Sequence, residues 1–115
     1  MIRVFIADDH DIVRTGLSRL LSEMPDIEVL GEASSADELM ERVRKVECDV
    51  VVLDVNMPGS QGPEGVSALR QLEPPPKVVV FTMYPEDAHA IGFLRAGAGA
   101  YLSKKRPARE LIDAI

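Results

Sequence analysis

Residues 50–59 read VVVLDVNMPG, and this stretch decides the fold class. Four consecutive aliphatic residues are typical of a strand that is buried on both faces, as strands are in the middle of a parallel sheet. The run ends in a carboxylate, Asp54, followed by a turn sequence. We therefore expect a central strand over Val50–Leu53, with Asp54 as the first exposed residue at its carboxyl end, held rigidly by the burial of the strand before it.

Composition limits the classes of protein to which the chain can belong. The 115 residues have 46% hydrophobic content and a net charge of -6, which indicates one folded domain and argues against direct binding to DNA phosphates. The single cysteine, Cys48, cannot form an internal disulfide and is interpreted as a small packing residue. With neither a signal peptide pattern nor an apolar run of about 18 residues, we expect a soluble cytoplasmic protein that does not engage the membrane.

Strand patterns alternate with helical patterns five times along the chain. The expected strands are Ile2–Ala7, Ile27–Ala33, Val50–Leu53, Val78–Phe81 and Ala98–Ser103. The second of these contains two glutamates and a glycine, which suits an edge of the sheet better than its centre. Five successive strand and helix units predict an α/β protein, (βα)₅, with an open doubly wound parallel sheet of five strands.

Helix boundaries are marked by caps and prolines. The predicted helices begin at Asp11, at the capping box Ser35–Glu38, near Val66, at Pro85 and at Pro107. Pro25 and the run Pro74–Pro76 end the first and third helices, and Gly97 is a plausible C-cap for the fourth.

Polar residues follow the strands at their carboxyl ends, where open α/β sheets bind ligands. These residues are Asp8, Asp9, Asp54, Thr82 and Lys104. Clustered carboxylates repel one another unless a cation lies among them, and Mg²⁺ prefers oxygen ligands of this kind. Asp54 beside such an ion is a candidate nucleophile toward phosphorus, and Lys104 and Thr82 are candidates for binding the other phosphoryl oxygens.

Each residue also has a simpler explanation when it is taken alone. The acidic residues before the first helix could cap it, Asp54 could begin a turn, and Thr82 and Lys104 are ordinary residues after a strand. Their joint placement at one edge of the sheet favours a site. His10 and His89 have no partner at ligand spacing and are interpreted as surface or packing residues.

Four segments of the sequence resemble the receiver domain of two-component response regulators, over essentially the whole chain. They are VFIADDH (4–10), VVLDVNMPG (51–59), VVVFTMY (78–84) and AGAGAYLSKK (96–105). The resemblance implies a flavodoxin-like sheet with strand order 2-1-3-4-5. Within the family, IRVFIADDH, VRTGLSRLL and AGAGAYLSK are most similar to regulators that carry a C-terminal LuxR-type helix-turn-helix domain.

The resemblance also implies roles for the site residues. Asp54 would accept a phosphoryl group from a phosphohistidine on a sensor histidine kinase. Asp9 would ligate Mg²⁺ directly, Asp8 would act through water, and the backbone carbonyl of Asn56 would complete the protein ligands. Such a domain promotes its own phosphorylation and dephosphorylation but turns over no external substrate.

Thr82 and Tyr101 would form a switch pair in such a receiver. When the phosphoryl group draws the Thr82 hydroxyl inward, Tyr101 would turn into the space left behind. The surface of the fourth helix, fifth strand and fifth helix would then change shape. We expect this change to produce a homodimer.

Residues 1–115 are therefore expected to form one receiver domain with a truncated fifth helix and no output domain. DNA would be bound only through the missing C-terminal part.

Two departures from the family pattern stand out. The loop over residues 59–65 is about three residues longer than usual, and either Gly62 or Gly65 could begin the third helix. Lys105 follows Lys104 where many relatives have proline, so a cis bond is not assumed there.

Two other classes of protein compete with this interpretation. A Mg²⁺-dependent phosphohydrolase of the haloacid-dehalogenase type would need an acid two residues after the nucleophile, where this chain has Asn56. A receiver-like interaction module that works without phosphorylation would be expected to lack some of the acids or the lysine, and all are present.

Overall fold

The computed structural model describes residues 1–59, 62–83 and 86–115 of the chain. The strands are β1 (Ile2–Ala7), β2 (Ile27–Ala33), β3 (Val50–Leu53), β4 (Lys77–Thr82) and β5 (Ala100–Ser103). The helices are α1 (Asp11–Ser22), α2 (Ala36–Val43), α3 (Pro63–Arg70), α4 (Glu86–Arg95) and α5 (Ala108–Ala114). The predicted helix start at Pro85 and the surroundings of the His89 side chain lie outside the described part of the chain.

All five strands are parallel, in the order β2-β1-β3-β4-β5. The predicted flavodoxin-like sheet is therefore confirmed, and β2 lies at an edge as its composition indicated. The bounds of the first three strands agree with the sequence prediction. β5 begins two residues later than predicted, because Gly97 at φ 116° ends α4 and the chain turns through Ala98 and Gly99 before it joins the sheet.

A side-chain cap marks the start of α2, and a glycine marks the start of α3. The Ser35 hydroxyl accepts a hydrogen bond from the Glu38 backbone N–H at 3.2 Å, while the Glu38 carboxylate accepts one from the Ser34 N–H at 2.8 Å. Gly62, at φ 68°, is the residue before α3, whereas Gly65 lies within the helix. The glycine that begins the third helix is therefore Gly62, where a left-handed backbone is required.

Two apolar layers cover the sheet, one on each face. Side chains from α2, α3 and α4 pack on one face and those from α1 and α5 on the other, so that alternate residues of β3 point into opposite layers. Every residue of β3 is buried. Because both faces are covered, β3 cannot tilt or slide without exposing apolar surface, and its carboxyl end is fixed in space.

Cys48 lies against the first of these layers just before β3. Its thiol donates a hydrogen bond to the Val50 carbonyl at 3.0 Å, and burial raises the pKa of the Cys48 thiol to about 11. The thiol is therefore protonated at neutral pH, which agrees with a packing role.

No described helix is both long and apolar enough to cross a bilayer. In the described residues the cis peptide bond is Glu73–Pro74, and the bond after Lys104 is not cis.

Burial predicts unequal costs for two aliphatic residues on α1. Leu21 is 0% exposed and Ile12 is 90% exposed. We expect Leu21→Ala to lower the free energy of unfolding by about 2–5 kcal/mol, because it removes core contacts and leaves a cavity. Ile12→Ala, the control on the same helix, should change it by less than about 0.5 kcal/mol. Urea denaturation of both variants measures the difference, and equal losses would contradict the packing described for α1.

Candidate functional site

The candidate site lies at the carboxyl edge of the sheet, where backbone hydrogen bonds fix the residues that follow the strands. The Asp8 N–H donates to the Ala33 carbonyl at 3.0 Å, and the Asp54 N–H donates to the Ala7 carbonyl at 2.9 Å. The Lys104 N–H donates to the Thr82 carbonyl at 2.6 Å. These hydrogen bonds continue the strand pairing by one residue. The backbones of Asp8, Asp54 and Lys104 are therefore held in place by the sheet.

Lys104 joins two aspartates at this edge. Its Nζ lies 2.7 Å from Asp8 Oδ2 and 2.9 Å from Asp54 Oδ2. The three side chains are only 6%, 2% and 2% exposed. Burial alone would lower the pKa of Lys104, but the hydrogen bonds to Asp8 and Asp54 outweigh it and leave that pKa above its ordinary value. The ammonium therefore stays charged and balances part of the negative charge of the two acids.

The expectation that Asp54 would be exposed at the end of its strand is wrong. The residue is 2% exposed, because the Lys104 ammonium and the His10 ring lie against its carboxylate. Asp54 Oδ2 accepts from Lys104, and Oδ1 accepts from the Asn56 backbone N–H at 3.0 Å. Asn56 itself lies at the surface, in the turn that follows β3.

The acidic residues gather as the sequence predicted, and a histidine joins them. Ligand atoms of Asp8, Asp9, His10 and Asp54 all lie within 4.8 Å of one another. His10 Nδ1 is 3.1 Å from Asp8 Oδ1 and 3.3 Å from Asp9 Oδ1. His10 is half exposed, as expected of a surface residue, but its contact with the cluster was not predicted from the sequence. The one sequence feature that could have indicated this contact is the position of His10 directly after Asp8 and Asp9.

The aspartates do not cap α1. The N-cap residue is His10, whose side chain makes no capping hydrogen bond. Asp8 Oδ1 instead accepts from the His10 backbone N–H at 2.8 Å, within the turn between β1 and α1. The acidic pair is therefore available to the site.

Thr82 and Tyr101 lie inside the domain, on neighbouring strands. Thr82 is 0% exposed, and among the described residues its hydroxyl has no hydrogen-bond partner. Tyr101 is 6% exposed, and its ring lies 5.6 Å from that of Phe93 on α4, centroid to centroid. The Tyr101 ring is therefore buried against α4 in this conformation.

The donor set fits a hard divalent cation. Three carboxylates supply oxygen ligands, and the Asp9 side chain is 31% exposed, so that water can complete the coordination. The buried Thr82 hydroxyl, with no partner in the described part of the chain, fits a site that lacks one more acceptor, such as a phosphoryl oxygen.

Comparison with known proteins assigns the chain to a family. The pattern of the response regulator receiver domain matches residues 4–115. The chain belongs to the receiver domain family of response regulators, the phosphoryl-accepting switch domains of two-component signalling.

Curated relatives and solved structures agree with this assignment. Response regulator GacA of Pseudomonas viridiflava is 41% identical over 115 residues, which are all of this chain and 54% of that protein. The chain thus spans about half the length of the curated relatives that it matches. A LuxR-family response regulator from Aurantimonas sp. SI85-9A1 has a TM-score of 0.89 at 35% identity, over 96% of this chain and 79% of that one. The predicted resemblance to LuxR-type regulators is confirmed.

A third match is a solved structure of RcsB from Salmonella enterica serovar Typhimurium. It is bound to promoter rprA in the presence of the phosphomimetic BeF3⁻. The TM-score is 0.88 at 25% identity, and the alignment covers 98% of this chain and 65% of that one.

Removal of the Lys104 charge should destabilise the fold. In Lys104→Met, two buried carboxylates lose the ammonium between them, and we expect the free energy of unfolding to fall by about 3 kcal/mol at pH 7 without divalent cations. Lys105→Met is the matched control, because Lys105 is exposed and its charge is solvated. Denaturant unfolding of both variants measures the effect. An Lys104→Met variant as stable as the control would show that the buried bridge adds nothing.

Proposed function

We propose that the chain is a phosphorylation-dependent switch in which Asp54 accepts a phosphoryl group from a phosphohistidine on a sensor histidine kinase. The observation that carries the proposal is the fixed position of the Asp54 carboxylate. It lies between the Lys104 ammonium and the Asn56 N–H, beside two further acids. A rigid nucleophile next to an ammonium is suited to a reaction that depends chiefly on positioning and on charge stabilisation.

The proposed reaction is a phosphoryl transfer between side chains. An Asp54 carboxylate oxygen attacks phosphorus, the bond from phosphorus to the donor imidazole nitrogen breaks, and that nitrogen keeps the electron pair and takes up a proton. The product at Asp54 is an acyl phosphate. Lys104 balances negative charge at the transferred group, and the Thr82 hydroxyl donates a hydrogen bond to one of its oxygens.

Mg²⁺ is the proposed cofactor. Asp9, Asp54 and the backbone carbonyl of Asn56 would hold it directly and Asp8 through water, and the ion would supply positive charge to the phosphoryl oxygens. Hydrolysis of the acyl phosphate at the same site resets the switch. A phosphohydrolase of the haloacid-dehalogenase type is not favoured, because the residue two positions after Asp54 is Asn56, which cannot protonate a leaving group.

The proposed output is control of transcription through a partner domain. The RcsB structure is bound to promoter DNA in the presence of a phosphomimetic. The match to a LuxR-family response regulator supports a similar output for this chain. We infer that phosphorylation promotes association between two receivers. DNA is then bound by a C-terminal helix-turn-helix domain of the whole protein, because this segment, with a net charge of -6, is unsuited to phosphate binding.

Incubation with acetyl phosphate tests the acceptor directly. With Mg²⁺ present, intact mass spectrometry should show one added phosphoryl group on the parent chain and none on Asp54→Asn. Asp26→Asn is the matched control, since Asp26 is exposed and lies before β2, at the opposite end of the strands, and it should behave as the parent does. The adduct should disappear without Mg²⁺.

Two results would count against the proposal. An adduct that persists in Asp54→Asn would place the acceptor elsewhere. If neither acetyl phosphate nor beryllofluoride, a phosphoryl mimic that is not hydrolysed, gives an adduct, the interaction module that works without phosphorylation becomes the better interpretation.

Thr82→Val tests whether the Thr82 hydroxyl couples phosphorylation to dimer formation. Valine has the shape of threonine without the hydroxyl, which has no partner among the described residues, so the resting fold should lose little or no stability. We expect the variant to bind beryllofluoride but to lose at least half of the increase in dimer that the parent shows, as measured by analytical ultracentrifugation. Thr82→Ser, which retains the hydroxyl, should restore the response. A full dimer response in Thr82→Val would remove Thr82 from the switch.

A further inference from the structure

We propose that Arg14 is a positioning residue for the divalent cation. Its guanidinium holds the peptide group between Asp8 and Asp9 in the orientation that directs the Asp9 carboxylate into the acidic cluster. The inference rests on the proposed function, because that function requires a cation at this cluster.

Arg14 connects three separate parts of the fold. Its side chain is 17% exposed and lies on α1, one turn after the acidic pair. Nη1 donates to the backbone carbonyl of Asp8 at 2.5 Å, and Nη2 donates to Asp11 Oδ1 at 2.6 Å. Nε donates to Glu32 Oε1 on β2 at 3.1 Å. A planar group with three donors engaged in different directions has little freedom to move.

The hydrogen bond from Arg14 to the Asp8 carbonyl also constrains Asp9, the next residue along the chain. The Asp8 C=O and the Asp9 N–H belong to one rigid peptide plane, so the direction of the carbonyl fixes the start of Asp9. The Asp8 N–H is already fixed by the Ala33 carbonyl on β2. With Arg14 on the following carbonyl, the backbone that enters Asp9 is held on both sides.

Asp9 depends on this support more than the other two acids do. Asp8 and Asp54 are held through their carboxylates by Lys104 and are each 2% exposed in the side chain. The Asp9 side chain is 31% exposed, and its described contact is with the half-exposed His10 ring. Its position is therefore set chiefly through its backbone, which is the part that Arg14 controls.

Charge and geometry predict opposite effects when Arg14 is removed. Loss of a positive charge near an acidic cluster strengthens the attraction for a cation. Loss of the support for Asp9 weakens cation binding, because a displaced ligand no longer contributes. The sign of the change in Mg²⁺ affinity thus distinguishes a positioning residue from one that acts only by its charge.

Arg42 provides a matched control for charge. It lies on α2, and its Nη1 donates to the backbone carbonyl of Glu32 at 2.6 Å, next to the strand end that Arg14 also contacts. Its other described partner is Glu38, at 3.7 Å. Arg42→Ala removes the same charge and a contact with the same strand but leaves the turn at Asp8 and Asp9 untouched.

The experiment is a titration of the 115-residue chain with Mg²⁺, followed by amide chemical shifts in NMR spectra. Arg14→Ala should have a dissociation constant about tenfold higher than that of the parent, in the range typical for loss of a residue that orients a metal ligand. Arg14→Lys, which keeps the charge but not the forked donors, should fall between them. Arg42→Ala should match the parent or bind slightly more tightly.

An unchanged or lower dissociation constant in Arg14→Ala overturns the inference. The same spectra report folding, and if Arg14→Ala is unfolded, Arg14→Lys decides, with a value equal to that of the parent overturning the inference. Absence of Mg²⁺ binding by the parent overturns the proposed function together with this inference. Binding by the parent that is equalled by Arg14→Ala overturns only the role of Arg14.

Discussion

The arrangement at the carboxyl edge of the sheet depends on one buried ammonium between two buried carboxylates. Lys104 lies within 2.9 Å of both Asp8 and Asp54, and without it the two acids would be buried close together with no cation between them. A buried charge is tolerated when it is paired and hydrogen-bonded. The bridge therefore places a positive charge between the two buried carboxylates, and it links the ends of β1, β3 and β5 to one another.

The sheet makes this bridge possible because it brings distant residues to one edge. Asp8 and Lys104 are 96 residues apart in sequence and meet only because five parallel strands all end at the same side. Apolar layers on both faces hold β3 in place, so the position of Asp54 is as rigid as the core itself. The Thr82 hydroxyl, at the end of β4, is also buried and has no hydrogen-bond partner among the described residues.

Residues at the site also contact the elements that surround it. Thr82 and Tyr101 lie on adjacent strands, and the Tyr101 ring packs against Phe93 on α4. On the other side, Arg14 ties the acidic turn to β2 and to the first turn of α1. The carboxyl edge of the sheet is thereby connected to β2 and α1 through the partly buried Arg14 side chain.

The order of the elements and the placement of acids after the strands could be predicted from the amino-acid sequence. The aliphatic run Val50–Leu53, the alternation of strand and helix patterns and the acids placed after strands follow from local composition and periodicity, and the structure agrees with them. The sequence could not show that Asp54 is covered, that the His10 ring joins the cluster, or that Arg14 reaches the Asp8 carbonyl. It also left Gly62 and Gly65 as equal candidates for the start of α3. These features depend on distances between residues that are far apart along the chain or on the path of a loop. Only tertiary packing sets those distances, because the side-chain directions at the edge are fixed by the neighbouring strands rather than by the adjacent residues.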